Sequence, residues 1–100
     1  MTLFANVEPH CAQIADYRST AAEDGKEPIW RGLLSWAKVC QDGDEKALEL
    51  SALHPYPEER MRQKLAEIKG PYACAKMDSE NPGICTGCKY WGKVTNPLVL

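Results

Sequence analysis

The segment Cys85-Thr86-Gly87-Cys88 limits what this chain can fold into more than any other. Two thiolates separated by two residues can bite one tetrahedral ion, and Gly87 lets the backbone turn tightly enough to present both sulfurs inward. A third thiol, Cys74, lies eleven positions before Cys85, and the Asn81-Pro82-Gly83 turn between them can return it to the same point. The last quarter of the chain therefore reads as a loop organised by a metal, over residues 71–100.

The rest of the chain must supply the hydrophobic core. One hundred residues suit one domain with a modest interior. A composition of 44% hydrophobic and 26% charged residues is that of a globular chain, neither disordered nor membrane-spanning. No apolar run approaches the roughly 18 residues of a transmembrane helix, so no membrane partner is expected. The first eight residues lack the basic region and long apolar stretch of a signal peptide, which makes the cytoplasm the expected compartment. Five cysteines is an odd number, and a reducing compartment disfavours disulfides, so the thiols read as metal ligands.

Four helical stretches precede the cysteine-rich tail, within residues 8–70. Glu8-Pro9 followed by Cys11, Ile14 and Ala15 starts a short helix with one apolar face, and residues 19–26 read as a polar linker. Pro28 opens a stronger one, with Ile29, Trp30, Leu33, Leu34, Ala37 and Cys40 forming a wide stripe that belongs at the centre of the core. Gln41-Asp42-Gly43-Asp44 stops it, and Asp44 is placed to cap a third helix bearing Ala47, Leu50 and Leu53 and ending at His54-Pro55. Pro57-Glu58-Glu59 starts a fourth, which buries Met61, Leu65 and Ile68, exposes Arg60, Arg62, Lys64 and Lys69, and stops at Gly70-Pro71. Beyond residue 71 no helical period is visible, and a short strand at 94–95 or 98–100 is the only regular element expected. The fold class is mainly α: a small four-helix bundle, one domain over residues 1–100, with an irregular C-terminal metal-binding loop.

A closed structural site needs four ligands, and the tail offers three. Cys40 lies on the apolar stripe of the second helix, where a thiol usually serves as a small hydrophobe. His54 precedes a proline at a helix end, where an imidazole usually caps carbonyls or lies exposed. His10 is available, but its neighbour Cys11 is the softer ligand and shares a helix face with Ile14. The expected set is Cys11, Cys74, Cys85 and Cys88. Four thiolates suit Zn²⁺, the commoner answer for a compact knuckle, and also suit a [4Fe–4S] cluster. No His-x-Glu or His-Glu-x-x-His pattern, phosphate loop or nucleophile elbow is present, so no catalytic site is expected.

Charge is distributed unevenly. Residues 1–59 hold 5 Lys/Arg and 11 Asp/Glu, whereas residues 60–100 hold 7 and 3. A basic, cysteine-bearing half can face a polyanion; equally, the two halves can complement each other. Lys89-Tyr90-Trp91-Gly92-Lys93 interleaves cations with aromatics able to stack on unpaired bases or to cover the metal loop, and Arg60, Arg62 and Lys64 lie on the preceding basic helix. These seven side chains, Arg60, Arg62, Lys64, Lys89, Tyr90, Trp91 and Lys93, are the candidate nucleic-acid contacts.

The run Gly70-Pro-Tyr-Ala-Cys74-Ala-Lys76, followed by Asn81-Pro82-Gly83-Ile-Cys85-Thr-Gly87-Cys88-Lys-Tyr-Trp-Gly92-Lys93-Val-Thr-Asn-Pro97-Leu, resembles a cysteine-bearing module of phage and prophage primase–helicase replication proteins. Upstream, Pro28-Ile-Trp30, Asp42-Gly43-Asp44, Ala47 to His54 and Tyr56-Pro57-Glu-Glu are similar to the helical primase C-terminal module. The likeness spans roughly residues 10–100. In that family a cysteine near the start of the module accompanies the later three, and Cys11 matches it. Leu50-Ser51 departs from the pattern, where an aromatic residue is expected before the serine. The resemblance implies a non-catalytic accessory domain of a DNA primase or helicase, with single-stranded DNA or primer–template, or adjoining primase and helicase domains, as partners. The alternative is a purely structural or protein-interaction module in which the metal acts only as a staple.

Overall fold

The computed structural model describes residues 2–54 and 56–99. Among these the chain forms six α-helices: α1 (Phe4–Val7), α2 (Ala12–Thr20), α3 (Glu27–Lys38), α4 (Gly43–Ala52), α5 (Glu58–Glu67) and α6 (Cys74–Glu80). Single 3₁₀ turns lie at Glu8–His10, Cys85–Gly87 and Pro97–Val99. The mainly helical expectation is met. The radius of gyration, 12.4 Å, is close to the roughly 13 Å of a compact chain this long. No helix among the described residues is long and apolar enough to cross a membrane.

α3 is the hub. From Ile29 to Ala37 every residue except Arg31 is buried, a wider surface than the sequence stripe indicated. A helix can be enclosed this way only when neighbours cover all its faces. α2, α4, α5 and α6 all pack against α3. Trp30, Leu33, Leu34 and Trp36 are each at most 1% exposed, and each such side chain contributes roughly 1.5–3 kcal/mol relative to exposure. The polar atoms carried inside are paired: Trp30 Nε1 donates to Ser51 Oγ at 2.9 Å, and Tyr17 Oη donates to the Leu50 carbonyl at 3.3 Å. Leu50, at the position where an aromatic was expected, is itself fully buried.

Glycine sets two close approaches. A Cβ on Gly43 would stand 2.0 Å from the Ala37 carbonyl oxygen, so the start of α4 lies directly on the end of α3. A Cβ on Gly32 would stand 2.3 Å from Met77 Cε, and Met77 of α6 is fully buried there.

Several expectations change. The first helix is divided: the Glu8–His10 turn ends at Cys11, whose extended backbone (φ −117°, ψ 110°) makes it the N-cap of α2 instead of an interior helical residue. α1 and α6 were not legible, because Phe4–Val7 and Cys74–Glu80 are too short to display a period. No strand forms among the described residues; 94–95 is irregular, and Leu98 lies in a 3₁₀ turn, with Leu100 outside the described residues. Pro55, where the third helix was expected to end, also lies outside them; α4 stops at Ala52. Asp42, not Asp44, occupies the N-cap of α4, and its carboxylate is used elsewhere, accepting bonds from Phe4 N at 2.6 Å and Ala5 N at 3.1 Å. A residue that reads locally as a stop signal thus caps a helix 38 positions earlier.

Candidate metal centre

Packing brings the two ends of the chain together. α1 lies against Pro97–Val99, and α2 against Cys85–Gly87. α3 positions the third contributor: Ser35 Oγ accepts from Tyr72 N at 2.9 Å, and Trp36 Nε1 donates to the Tyr72 carbonyl at 2.7 Å. With the Tyr72 backbone held at both its donor and its acceptor, Cys74 begins α6 just beyond, and its N–H bonds the Thr95 carbonyl at 2.7 Å. The knuckle closes through Cys88 N to Cys85 O at 2.9 Å, followed by Trp91 N to Cys88 O at 3.1 Å. Gly87 does not supply the special conformation expected of it. Two left-handed glycines, Gly83 (φ 92°) and Gly92 (φ 80°), flank the knuckle and turn the chain into and out of it.

The result is a cavity of about 30 Å³ lined by Cys11, Cys74, Cys85 and Cys88 together. That is enough room for at least one water-sized group. Trp36 forms part of the wall and joins the cavity to the helical core, while His10, Gln13, Tyr90 and Trp91 also line it. Cys40 does not: it is buried in the main core, with its Sγ 3.2 Å from the Trp36 carbonyl. His54 bonds the carbonyl of Ala21, at the end of α2, through Nδ1 at 2.9 Å. All five cysteines are free thiols. Among the described residues, no three His, Cys, Asp or Glu side chains already stand in a geometry that could hold one metal ion. The four thiols surround a shared space but do not yet meet at its centre.

Their electrostatics agree with that arrangement. Burial pushes Cys11 up to about 11; N–H groups of Gln13 and Ile14 pull it back, and Cys74 and Cys85 add repulsion. Cys74 is raised by burial and then by Cys85 and Cys88. Cys85 is raised by burial, opposed by a hydrogen bond from Gln13, and pushed up further by Asp78 and Cys88. Cys11, Cys74 and Cys85 are thus each held toward the neutral form, by burial first and by neighbouring groups second. Ionising several at once is favourable only with a cation among them.

Gln13 lines the cavity and is bonded by Asn81, and the sequence pointed to neither as part of this cluster. Gln13 is 1% exposed and its Nε2 donates to Cys85 Sγ at 3.3 Å. The available signal was an amide at a core position of α2, on the face that carries Ile14 and Tyr17.

The basic residues separate into two groups. On α5, Arg60 pairs with Glu27 and stacks over Trp30 and Tyr56; Arg62 pairs with Glu58, and Lys64 with Glu67. Arg60–Glu27 is a contact between the acidic and basic halves of the chain, whereas Arg62–Glu58 and Lys64–Glu67 are local pairs along one helix. Near the cavity, Lys89 lies over the Tyr90 ring at 5.1 Å, Lys93 is exposed, and Trp91 is 37% exposed while also lining the cavity. No protein-family model, curated protein or solved structure matches the chain.

Proposed function

We propose that this chain is a non-catalytic helical module stapled by a metal on Cys11, Cys74, Cys85 and Cys88, and that it serves as an accessory domain of a phage-type primase–helicase. The observation that carries the metal reading is the shared cavity: four of five cysteines, from three separate segments, line it, and the fifth is in the main core. Zn²⁺ is the first choice. It bonds sulfur at about 2.3 Å, so the four side chains must draw inward on an ion; a [4Fe–4S] cluster, larger than an ion, is the alternative. The replication assignment rests on the sequence likeness of residues 70–98.

The metal would join the turn before α2 to the start of α6 and to the knuckle, stabilising the fold across more than 60 residues. Metal analysis with a visible spectrum tests this. The expected result is about one Zn²⁺ per chain and no absorbance near 400 nm, loss of the metal and of thermal stability in Cys74→Ser and in Cys88→Ser, and full metal content in Cys40→Ser. A chain that binds neither zinc nor iron, or keeps its metal in both serine variants, overturns the proposal.

A second reading, direct contact with single-stranded DNA, is favoured by one observation. Trp91 is partly exposed beside Lys89 and Lys93, whereas the α5 cations are each paired with a carboxylate.

A further inference from the structure

Cys85 is at the end of a chain of hydrogen bonds whose direction is fixed. Asp16 Oδ2 accepts from Asn81 Nδ2 at 2.9 Å, and the same nitrogen donates to Gln13 Oε1 at 2.9 Å. Gln13 Nε2 then donates to the Asn81 carbonyl at 3.1 Å and to Cys85 Sγ at 3.3 Å. An ionised carboxylate and a backbone carbonyl can only accept, and a primary amide has two N–H groups on one side and two lone pairs on the other. Asp16 therefore turns the Asn81 amide nitrogen inward. That nitrogen meets the oxygen of Gln13, and the Asn81 carbonyl holds the Gln13 nitrogen. Flipping either amide would place oxygen against oxygen, so both N–H groups of Gln13 are committed, one of them to sulfur.

From this geometry we infer that Gln13 is a positioning residue for the metal, its N–H aimed at the Cys85 sulfur by Asn81 and Asp16 so that Cys85 is presented as a hydrogen-bonded thiolate ligand. The inference rests on the metal reading above. A buried amide with every polar atom used in one direction is costly to assemble by chance, since each unmatched atom carries a desolvation penalty. Neutral thiols are weak acceptors and gain little from such a donor; a metal-bound thiolate carries the charge that makes the contact strong. Outer partners of this kind typically change metal affinity by 10–100-fold.

The test is metal release to a chelator from the purified full chain, together with the sulfur-to-metal charge-transfer band of the Co²⁺-substituted protein. Gln13→Met keeps the volume and removes the donor. Release at least tenfold faster than wild type, with a displaced charge-transfer band, is expected; a structural role alone would leave that band in place. If Gln13→Met does not fold, Asn81→Ser decides the question, because it removes the amide that orients Gln13 and leaves the donor itself. That variant should release metal several-fold faster. A wild-type chain that takes up metal while the folded variants keep its release rate and its band refutes the role of Gln13 alone. A wild-type chain that takes up no metal refutes the metal reading and this inference with it.

Discussion

Substituting Gly43 by alanine sets two physical effects against each other, and the structure decides which wins. Gly43 is the first residue of α4. By helix propensity alone, alanine is preferred over glycine by at most about 1 kcal/mol in a helix interior, and by less at an end. The new Cβ, however, would stand 2.0 Å from the Ala37 carbonyl oxygen. That atom belongs to the backbone of the most buried helix and cannot rotate away. Ordinary contact begins at 3.4 Å, so α4 must retreat by about 1.4 Å, and overpacking of this kind costs about 1–3 kcal/mol. The same shift stretches the Trp30–Ser51 and Tyr17–Leu50 hydrogen bonds at the far end of the helix. The net expectation is a loss of about 2 kcal/mol, equivalent to a fall of about 8–16 °C in Tm for a domain this size. Thermal melts followed by circular dichroism at one protein concentration and saturating metal would measure it. A Tm unchanged or raised would mean that propensity dominates and that α4 does not lie on α3 as described.

Two further predictions concern different parts of the molecule. Asp42→Ala removes the acceptor for Phe4 N and Ala5 N and should cost about 1–2 kcal/mol at pH 7. Burial alone would raise the pKa of this carboxyl, but those N–H groups, its own and Lys46 pull it below the usual carboxylate value. Its contribution is therefore complete above about pH 4, near the unfolded value, and disappears as pH falls through the lower folded value. Denaturant titrations should show wild type and variant converging in acid, and a gap that persists or widens there would exclude the carboxylate as its source. If single-stranded DNA is a partner, Lys89→Ala with Lys93→Ala should weaken binding and reduce the salt slope by about 1.4, roughly 0.7 for each phosphate contact, whereas Arg62→Ala should leave the slope unchanged. Trp30 and Trp36 are buried, so fluorescence quenching would report chiefly on Trp91; an unchanged slope in the lysine variant would remove both lysines from the DNA interface.

Much was legible locally because local physics dictated it. The 3.6-residue stripe of Ile29 to Ala37, the prolines that open α3 and precede α5, and the glycines beyond the helix ends are decisions each segment makes within a few residues of itself. Cys40 is buried as its place on the apolar stripe implies, for the same reason. Short elements were not legible. α6 has only seven residues and is held by contacts from Ser35, Trp36 and Thr95, far from it in sequence.

By itself the sequence determined a mainly helical chain with a wide apolar stripe on α3, because side-chain periodicity is a property of the residues. Only the tertiary structure decided that Cys11 shares a cavity with three thiols more than 60 positions away, that Asp42 caps α1, and that Gln13 turns its amide toward Cys85. Each of those depends on the direction of a side chain across a packed interface. Such directions are set by which atoms must be satisfied once water has been excluded, and spacing along the chain does not encode them.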